Sequence, residues 1–510
     1  MKFLSKYIKD RTLIVVAILF SILINYFAII KNENIIFFYD QARDAIISQN
    51  IIKKRDIKIQ GPSASGTNDS IHRGVLYYYL IAPLYIASGG DPRIVVFIIS
   101  ILTSTSLIPI YYLTKELSKS KLTAFTAIIL TAISIDHVFA STWLSNPVIS
   151  VVSIPWFFYL LWRFYNKSNL KLLPWIALLI GISNQSAIVT VYLFCSLLLI
   201  LLIMKKRKKK FKLPIKTVSL SLVVYLTSVS TMILNQALLY KRGIFSLSNL
   251  TTSGKSINIF GNLLKVFNLI INKISISLLF EQKNPSLLLL VLAMFFVYKK
   301  WSKKASLFLF ASILSPFILV LLPIDGSIHS LIGLELLFII PFSFLLVSFV
   351  KNKHLLMIPV LCLLAYNSFF IRESIERKDN HLLTQPGMIL KSEMQILYYT
   401  YDQARQNPFS ISTLTNPYTY NTTWSYLYSW YGQKQYGYTP VFYGASQAGI
   451  EGYSLLKTTN NPLDKHFSII EPSLNLDQFF LDKFEREQND KTELVDLQLD
   501  DFKVSQRRAK

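Results

Sequence analysis

Apolar and polar positions along this chain separate into long blocks, with little fine alternation. Mostly apolar stretches occupy about 12–30, 93–114, 122–138, 147–165, 172–186, 187–204, 217–238, 286–298, 305–322, 331–349 and 355–371. A hydrocarbon core of roughly 30 Å takes about 20 apolar helical residues, because a helix satisfies its own backbone where no water can. The pattern therefore predicts about eleven transmembrane helices. Lys2, Lys6, Lys9 and Arg11 precede the first block, no small-residue cleavage site follows it, and further spans come after, so it reads as an anchor and not a cleaved signal.

Lysine and arginine in the short loops test that register, since alternate loops should be basic. Lys115, Lys119 and Lys121 fall on one side, joined there by Arg163 to Lys171, by "KKRKKKFK" (205–212), by Lys299 to Lys304, and by Lys351 and Lys353. The loops between them, around 137–146, 183–186 and 325–330, carry no Lys or Arg. The expectation is an integral inner-membrane protein with a cytoplasmic N-terminus. The 31–92 loop, the second large loop 239–285 and the tail after 371 would lie outside. This register requires "GVLYYYLIAPLYIASGG" (74–90) not to cross, which suits a short apolar stretch with Pro83 inside.

Composition agrees and removes one reading of the charge. Of 510 residues 52% are hydrophobic, too many for a soluble chain of this length. The net charge is +24, yet residues 1–371 hold 38 Lys and Arg against 12 acids, while residues 372–510 hold 15 against 17. The excess belongs to the membrane part, where basic loops set topology, so no nucleic-acid partner is expected. Cys195 and Cys362 both lie in apolar runs and read as packing residues.

From residue 372 the chain turns polar, charge-balanced and rich in tyrosine. A helix at about 388–406, a strand "FSISTL", a helical "NTTWSYLYSWYGQKQYG" and a strand "HFSIIEP" predict a small α/β domain with an acidic, frayed end. The fold class is thus an α-helical polytopic membrane protein (1–371) with a small C-terminal α/β extracytoplasmic domain (372–510). Trp424, Tyr428, Trp430 and Tyr431 read as core aromatics, with sugar stacking as the alternative.

The pentapeptide "YDQAR" occurs at Tyr39–Arg43 and again at Tyr401–Arg405. The first copy follows span one in "NIIFFYDQARDAIISQNIIKKRD", with Asp40 where a helix N-cap is expected and Ile46, Ile47 and Ile51 at helical spacing. Asp40 and Asp44, four apart, then stand near each other with Arg43 alongside and Tyr39 next to them. Two carboxylates and a guanidinium at a membrane surface form a candidate acid/base site; the same acids would also suit a helix dipole without any chemistry. The second copy lacks the second acid, ends at Asn407-Pro408 and reads as a solvated helix face.

The residues around the first copy decide between these. "YDQARDAIISQNIIKK", then "GPSASG" (61–66), then "HRGVLYYYLIAPLY" (72–85), resembles the first outer loop of the GT-C glycosyltransferases, especially the ArnT and protein O-mannosyltransferase group. "IHSLIGLELLFIIPF" (328–342) extends the likeness in outline over 1–371. The resemblance implies a polyprenyl-phosphate sugar as donor, an acceptor hydroxyl on a saccharide, lipid or protein, and inverting transfer at the outer face of the bilayer. It implies that Asp40 acts as general base. Where such proteins often have a second acid directly after the first, this chain has Gln41, with Asp44 the nearest other carboxylate. Where they often have Asp-Pro after span three, it has Asn146-Pro147. A divalent metal, used by some relatives, is thereby left open.

The chemistry asks for a carboxylate within reach of the acceptor proton and for cations beside the departing phosphate. Outer-face candidates for the phosphate are His72, Arg73, Lys241, Arg242, Lys255 and His329, each of which would also suit plain snorkelling to headgroups. Asp136, His137 and the intramembrane Glu335 are further polar candidates, Glu335 with no partner that the sequence names. "SGKS" (253–256) lacks the earlier glycine of a phosphate loop, and no His or Cys spacing suggests a metal cage. The alternative to a transferase is a transporter or flippase, or a non-catalytic binding protein, for lipid-linked saccharides.

Overall fold

The structure is a computed structural model that describes residues 9–63, 71–207, 213–243, 259–321, 331–350, 355–473, 476–488 and 491–509. The first span is α1 (Asp10–Asn25), prolonged by a wider π turn to Ile30. Two short helices follow in the first loop, α2 (Tyr39–Lys53) and α3 (Leu76–Ala87). Next come α4 (Pro92–Ser104), begun by Asp91 accepting from the Arg93 N–H with proline at N1, and α5 (Leu107–Ser118). Helices α6 (Lys121–Ile133) and α7 (Ile135–Ser141) meet at Ser134, whose hydroxyl caps the second by accepting from the His137 N–H.

The bundle continues with α8 (Val148–Lys167), α9 (Leu173–Ser186), α10 (Tyr192–Arg207), α11 (Ile215–Ser228) and α12 (Ser230–Lys241). It closes with α13 (Ile259–Leu278), α14 (Lys283–Lys300), α15 (Lys303–Leu314), α16 (Leu336–Phe349) and α17 (Met357–Glu376).

Every expected span coincides with one of these helices or pairs. Among the described residues six are single helical stretches long and apolar enough to cross a membrane, and three bent pairs, each taken as one span, raise the number to nine: α6 with α7 (61°), α11 with α12 (63°) and α13 with α14 (84°). The remaining two, α9 and α16, have 14 residues each, about 21 Å at 1.5 Å per residue, short of the full hydrocarbon thickness. The apolar 74–90 stretch forms only the twelve-residue α3, about 18 Å long at 1.5 Å per residue. Half of the expected 239–285 loop is the long helix α13, whose Val266, Ile270 and Ile274 are buried in the bundle.

The tail is an α/β domain: α18 (Leu390–Ala404), β1 (Ser410–Leu414), α19 (Thr422–Leu427), α20 (Gln433–Tyr436), β2 (Val441–Tyr443), β3 (Thr458–Thr459), β4 (His466–Ile470), α21 (Gln478–Gln488), β5 (Lys491–Leu499) and β6 (Phe502–Ala509). The sheet order is β3-β2-β1-β4-β6-β5; the first four strands are parallel and the β6-β5 hairpin joins antiparallel. The acidic end expected to fray instead completes this sheet. Phe502 and Val504 turn inward there and are fully buried, so alternation outweighs charge.

Buried side chains form two cores. One is the bundle itself. The other joins the first loop (Ile35–Ile47 and Val75–Tyr85), the 135–151 turn and the tail through Leu397, Trp424, Tyr428 and Phe467. First loop and tail are therefore one packed body.

Candidate active site

Helix α2 begins two residues earlier than a cap at Asp40 would require. Phe38 is the extended cap residue, and its N–H donates to Gln41 Oε1 at 3.2 Å. Asp40 is thereby moved into the first turn, where a carboxylate suits the helix dipole. Arg43 lies between the two acids: Nη1 is 2.6 Å from Asp40 Oδ1, while Nη2 and Nε donate to Asp44 Oδ1 at 2.7 and 2.9 Å. The acids differ in exposure. Asp40 keeps 46% of its side-chain surface open, whereas Asp44 keeps 3%. Burial pushes the Asp44 carboxyl up to about 6 against the pull of Arg43, and Tyr78 from α3 adds a hydrogen bond. Tyr39 completes the group, with the Arg43 guanidinium 5.5 Å from its ring centre and Tyr420 of the tail 5.4 Å from it on another side.

His72 and Arg73 sit at a second corner. The Arg73 N–H donates to the Pro62 carbonyl, the Gly74 N–H to the Gln185 carbonyl, and His72 Nε2 stands 2.8 Å from Gln60 Nε2. A side chain at Gly74 would collide with Gln185, and one at Gly61 with the Arg73 carbonyl, so two glycines permit the close approach. The turn 142–147 ties this corner to the carboxylates. Gln41 Nε2 donates to the Leu144 carbonyl at 3.2 Å, and two residues on, Asn146 Nδ2 donates to the Gly74 carbonyl at 3.3 Å. Beside His72 an apolar slot of about 360 Å³ opens between α9 and α12, lined by Ile188, Val191, Val229, Met232 and Ile233 with Asn184 and Gln236.

Below lies a buried polar cluster that the sequence shows only in part. Lys273 Nζ of α13 is 2.5 Å from Asp136 Oδ2 and 3.9 Å from Glu335, His137 Nδ1 is 3.9 Å from Glu335, and His381 Nε2 is 3.4 Å from Asp136. Glu335, unpartnered in the sequence, thus faces a lysine and an imidazole. Lys273 and His381 were not among the sequence candidates. The available signal was that Lys273 is the one charged residue in an apolar run from Val266 to Phe280, near two buried acids in need of a cation.

The other expected residues are dispersed. Lys241 and Arg242 are exposed at the C-terminal end of α12, the helix that supplies Met232, Ile233 and Gln236 to the slot. His329, Lys255 and the "SGKS" segment lie outside the described residues. The second YDQAR ends α18 with Arg405 left-handed, as a helix terminus. Its face is not wholly solvated: Tyr401 is buried and stacked on Tyr436 at 3.9 Å, while Asp402 is exposed. Trp424 and Tyr428 are fully buried, as core aromatics are.

For a divalent metal the donor set does not fit. Asp40 and Asp44 already share a guanidinium, Asp136 already has Lys273, and no group of three acid, imidazole or thiol donors among the described residues is placed to hold an ion.

Comparison with known proteins bears on the whole arrangement. Residues 72–234 match the family described as dolichyl-phosphate-mannose-protein mannosyltransferase. No curated protein matches by sequence. Among solved structures, ArnT from Cupriavidus metallidurans in the apo state aligns over 97% of each chain at 10% identity with a TM-score of 0.50. The same protein bound to undecaprenyl phosphate aligns over 96% of this chain and 97% of that one, at 9% identity and a TM-score of 0.47. The archaeal oligosaccharyltransferase AglB from Archaeoglobus fulgidus, in complex with an inhibitory peptide and a dolichol-phosphate, aligns over 91% of this chain and 70% of that one, at 12% identity and 0.43. The fold is ArnT-like.

Proposed function

We propose that this chain is a GT-C glycosyltransferase that transfers a sugar from a polyprenyl-phosphate donor to an acceptor hydroxyl at the outer membrane face, with inversion and with Asp40 as general base. The observation that supports the reading is the bridge through Leu144 and Asn146, which ties Gln41, the neighbour of the half-exposed Asp40, to Gly74 of the corner beside the apolar slot. The donor's isoprenoid chain lies along Val191, Val229, Met232 and Ile233, and its phosphate meets His72 and Arg73. Lys241 and Arg242, further along the same helix, attract the anionic head group.

In the reaction the acceptor oxygen attacks the anomeric carbon as its proton passes to an Asp40 carboxylate oxygen. The bond from that carbon to the phosphate oxygen breaks on the opposite face, and its electron pair leaves with the phosphate. Arg43 fixes the Asp40 carboxylate in one rotamer, and the buried Asp44 holds Arg43 in turn. General-base help of this kind contributes about 10²–10⁴-fold. The basic loops 115–121, 163–171 and 299–304 face the cytoplasm in this reading, opposite the first loop and tail.

Arg73→Gln tests the donor placement. The expected outcome is a rise in donor KM of about tenfold with kcat reduced less, as for a lost charge on the phosphate. Photo-crosslinking of a polyprenyl phosphate into the Val229–Ile233 wall should accompany it in the wild type. Crosslinks confined to other helices, with donor KM unchanged in the variant, would contradict the placement.

A further inference from the structure

Beyond its carboxylates α2 runs on for about two and a half more turns, and its far half forms one wall of a cleft of about 480 Å³. The opposite wall belongs to the tail, from Tyr426 to Lys434, and Gly89-Gly90 closes one end. Lys53, Lys54 and Lys434 stand on the rims and are all exposed, and the cleft lining includes no Asp or Glu. A smaller recess of about 150 Å³ continues it past Lys54 and contributes Glu451, which is itself 3.7 Å from Lys58.

The floor is aromatic and amide. Trp430 is 8% exposed, its indole Nε1 has no hydrogen-bond partner, and Arg93 lies 5.6 Å from its ring centre. Gly90 packs against the indole edge: a Cβ there would come within 2.9 Å of Trp430 Cδ1, and φ is +89° besides. The Tyr426 hydroxyl donates to the Gly90 carbonyl at 2.5 Å, and Gln49 Oε1 accepts from Lys53 at 2.7 Å. Three exposed lysines, flanking amides and no lining carboxylate fit a sugar chain bearing acidic groups better than a neutral one. Sugar hydroxyls bond to the amides of Gln49, Asn50 and Gln433, and carboxylate or phosphate groups pair with the ammonium groups.

We infer that this cleft binds an acidic saccharide, as the distal subsite for the acceptor of the proposed transferase. At 1.5 Å per residue, Asn50 in the cleft is about 15 Å along α2 from Asp40, so one helix carries both the base and the distal contact. The inference rests on the transferase reading for its link to catalysis, but the binding itself does not.

The test titrates the full chain in detergent with hexagalacturonate, with a phosphorylated mannan fragment and with neutral maltohexaose. Either acidic probe should bind, at least about tenfold tighter than maltohexaose, and Lys54→Gln/Lys434→Gln should weaken that binding about tenfold. Lys299→Gln/Lys300→Gln, at the end of α14, should leave it unchanged. Absence of acidic-probe binding, equal binding of maltohexaose, or equal loss in the α14 variant would overturn the assignment. Donor hydrolysis by water is measured in parallel, since it needs Asp40 and not the cleft. If hydrolysis is missing while acidic probes bind, the transferase reading fails alone; if hydrolysis persists in wild type without saccharide binding, only the cleft assignment fails.

Discussion

At the residue scale the account turns on the unequal pair Asp40 and Asp44. They share Arg43, yet only Asp44 is buried, and burial raises its carboxyl to about 6, above the ordinary 3.8. The folded chain therefore holds a proton there that the unfolded chain releases, and stability from this group falls as pH climbs from about 4 to about 6. Activity should move the other way. Below about pH 6 a protonated Asp44 leaves Asp40 as the main anionic partner of Arg43, and the oxygen that must accept a proton is held by the guanidinium. Transfer should rise with pH through about 6 in the wild type. Asp44→Asn should remove that limb and stay near the low acid-side rate, and a pH–rate profile checks it; an unchanged limb in the variant would mean that it belongs to another group. The spacing of Asp40, Arg43 and Asp44 was legible in the sequence because four residues make one helical turn. Their inequality was not, since the burial comes from Tyr78 and the tail, far away in sequence.

At the element scale each apolar block coincides with a helix or bent pair, because a run of that length has few other ways to satisfy its backbone. The bends were hidden. Ser134 ends α6 and caps α7 at 61°, and serine inside an apolar run looks like ordinary packing. For the same reason α13 was read as loop: its basic and polar residues conceal an apolar face that carries Lys273 into the bundle. Lys273 and Asp136 are both nearly solvent-free, so removing one leaves the other charged and buried. Lys273→Met should cost about 3–5 kcal/mol, and Lys273→Met/Asp136→Leu should regain most of it, as read by thermal unfolding in detergent. A single variant as stable as the wild type would show that the pair contributes nothing to holding α13 against α7.

At the scale of the whole molecule, one core holds the bundle together and another joins the first loop to the tail, so the tail is built into the site's surroundings. Tyr420 touches Tyr39, His381 reaches Asp136, and Trp430 lines the cleft beside α2. The tail's strands and helices were readable from alternation and aromatic content, but its packing on the first loop was not, because those contacts span more than 300 residues. Asp40 stands half exposed in the body that the first loop and tail form together, and the most direct measurement is of the Asp40→Asn variant. Sugar transfer should fall by about 10²–10⁴-fold while the affinity for a polyprenyl-phosphate donor stays at the wild-type value. Transfer at the wild-type rate, or donor affinity lost together with transfer, would contradict the account.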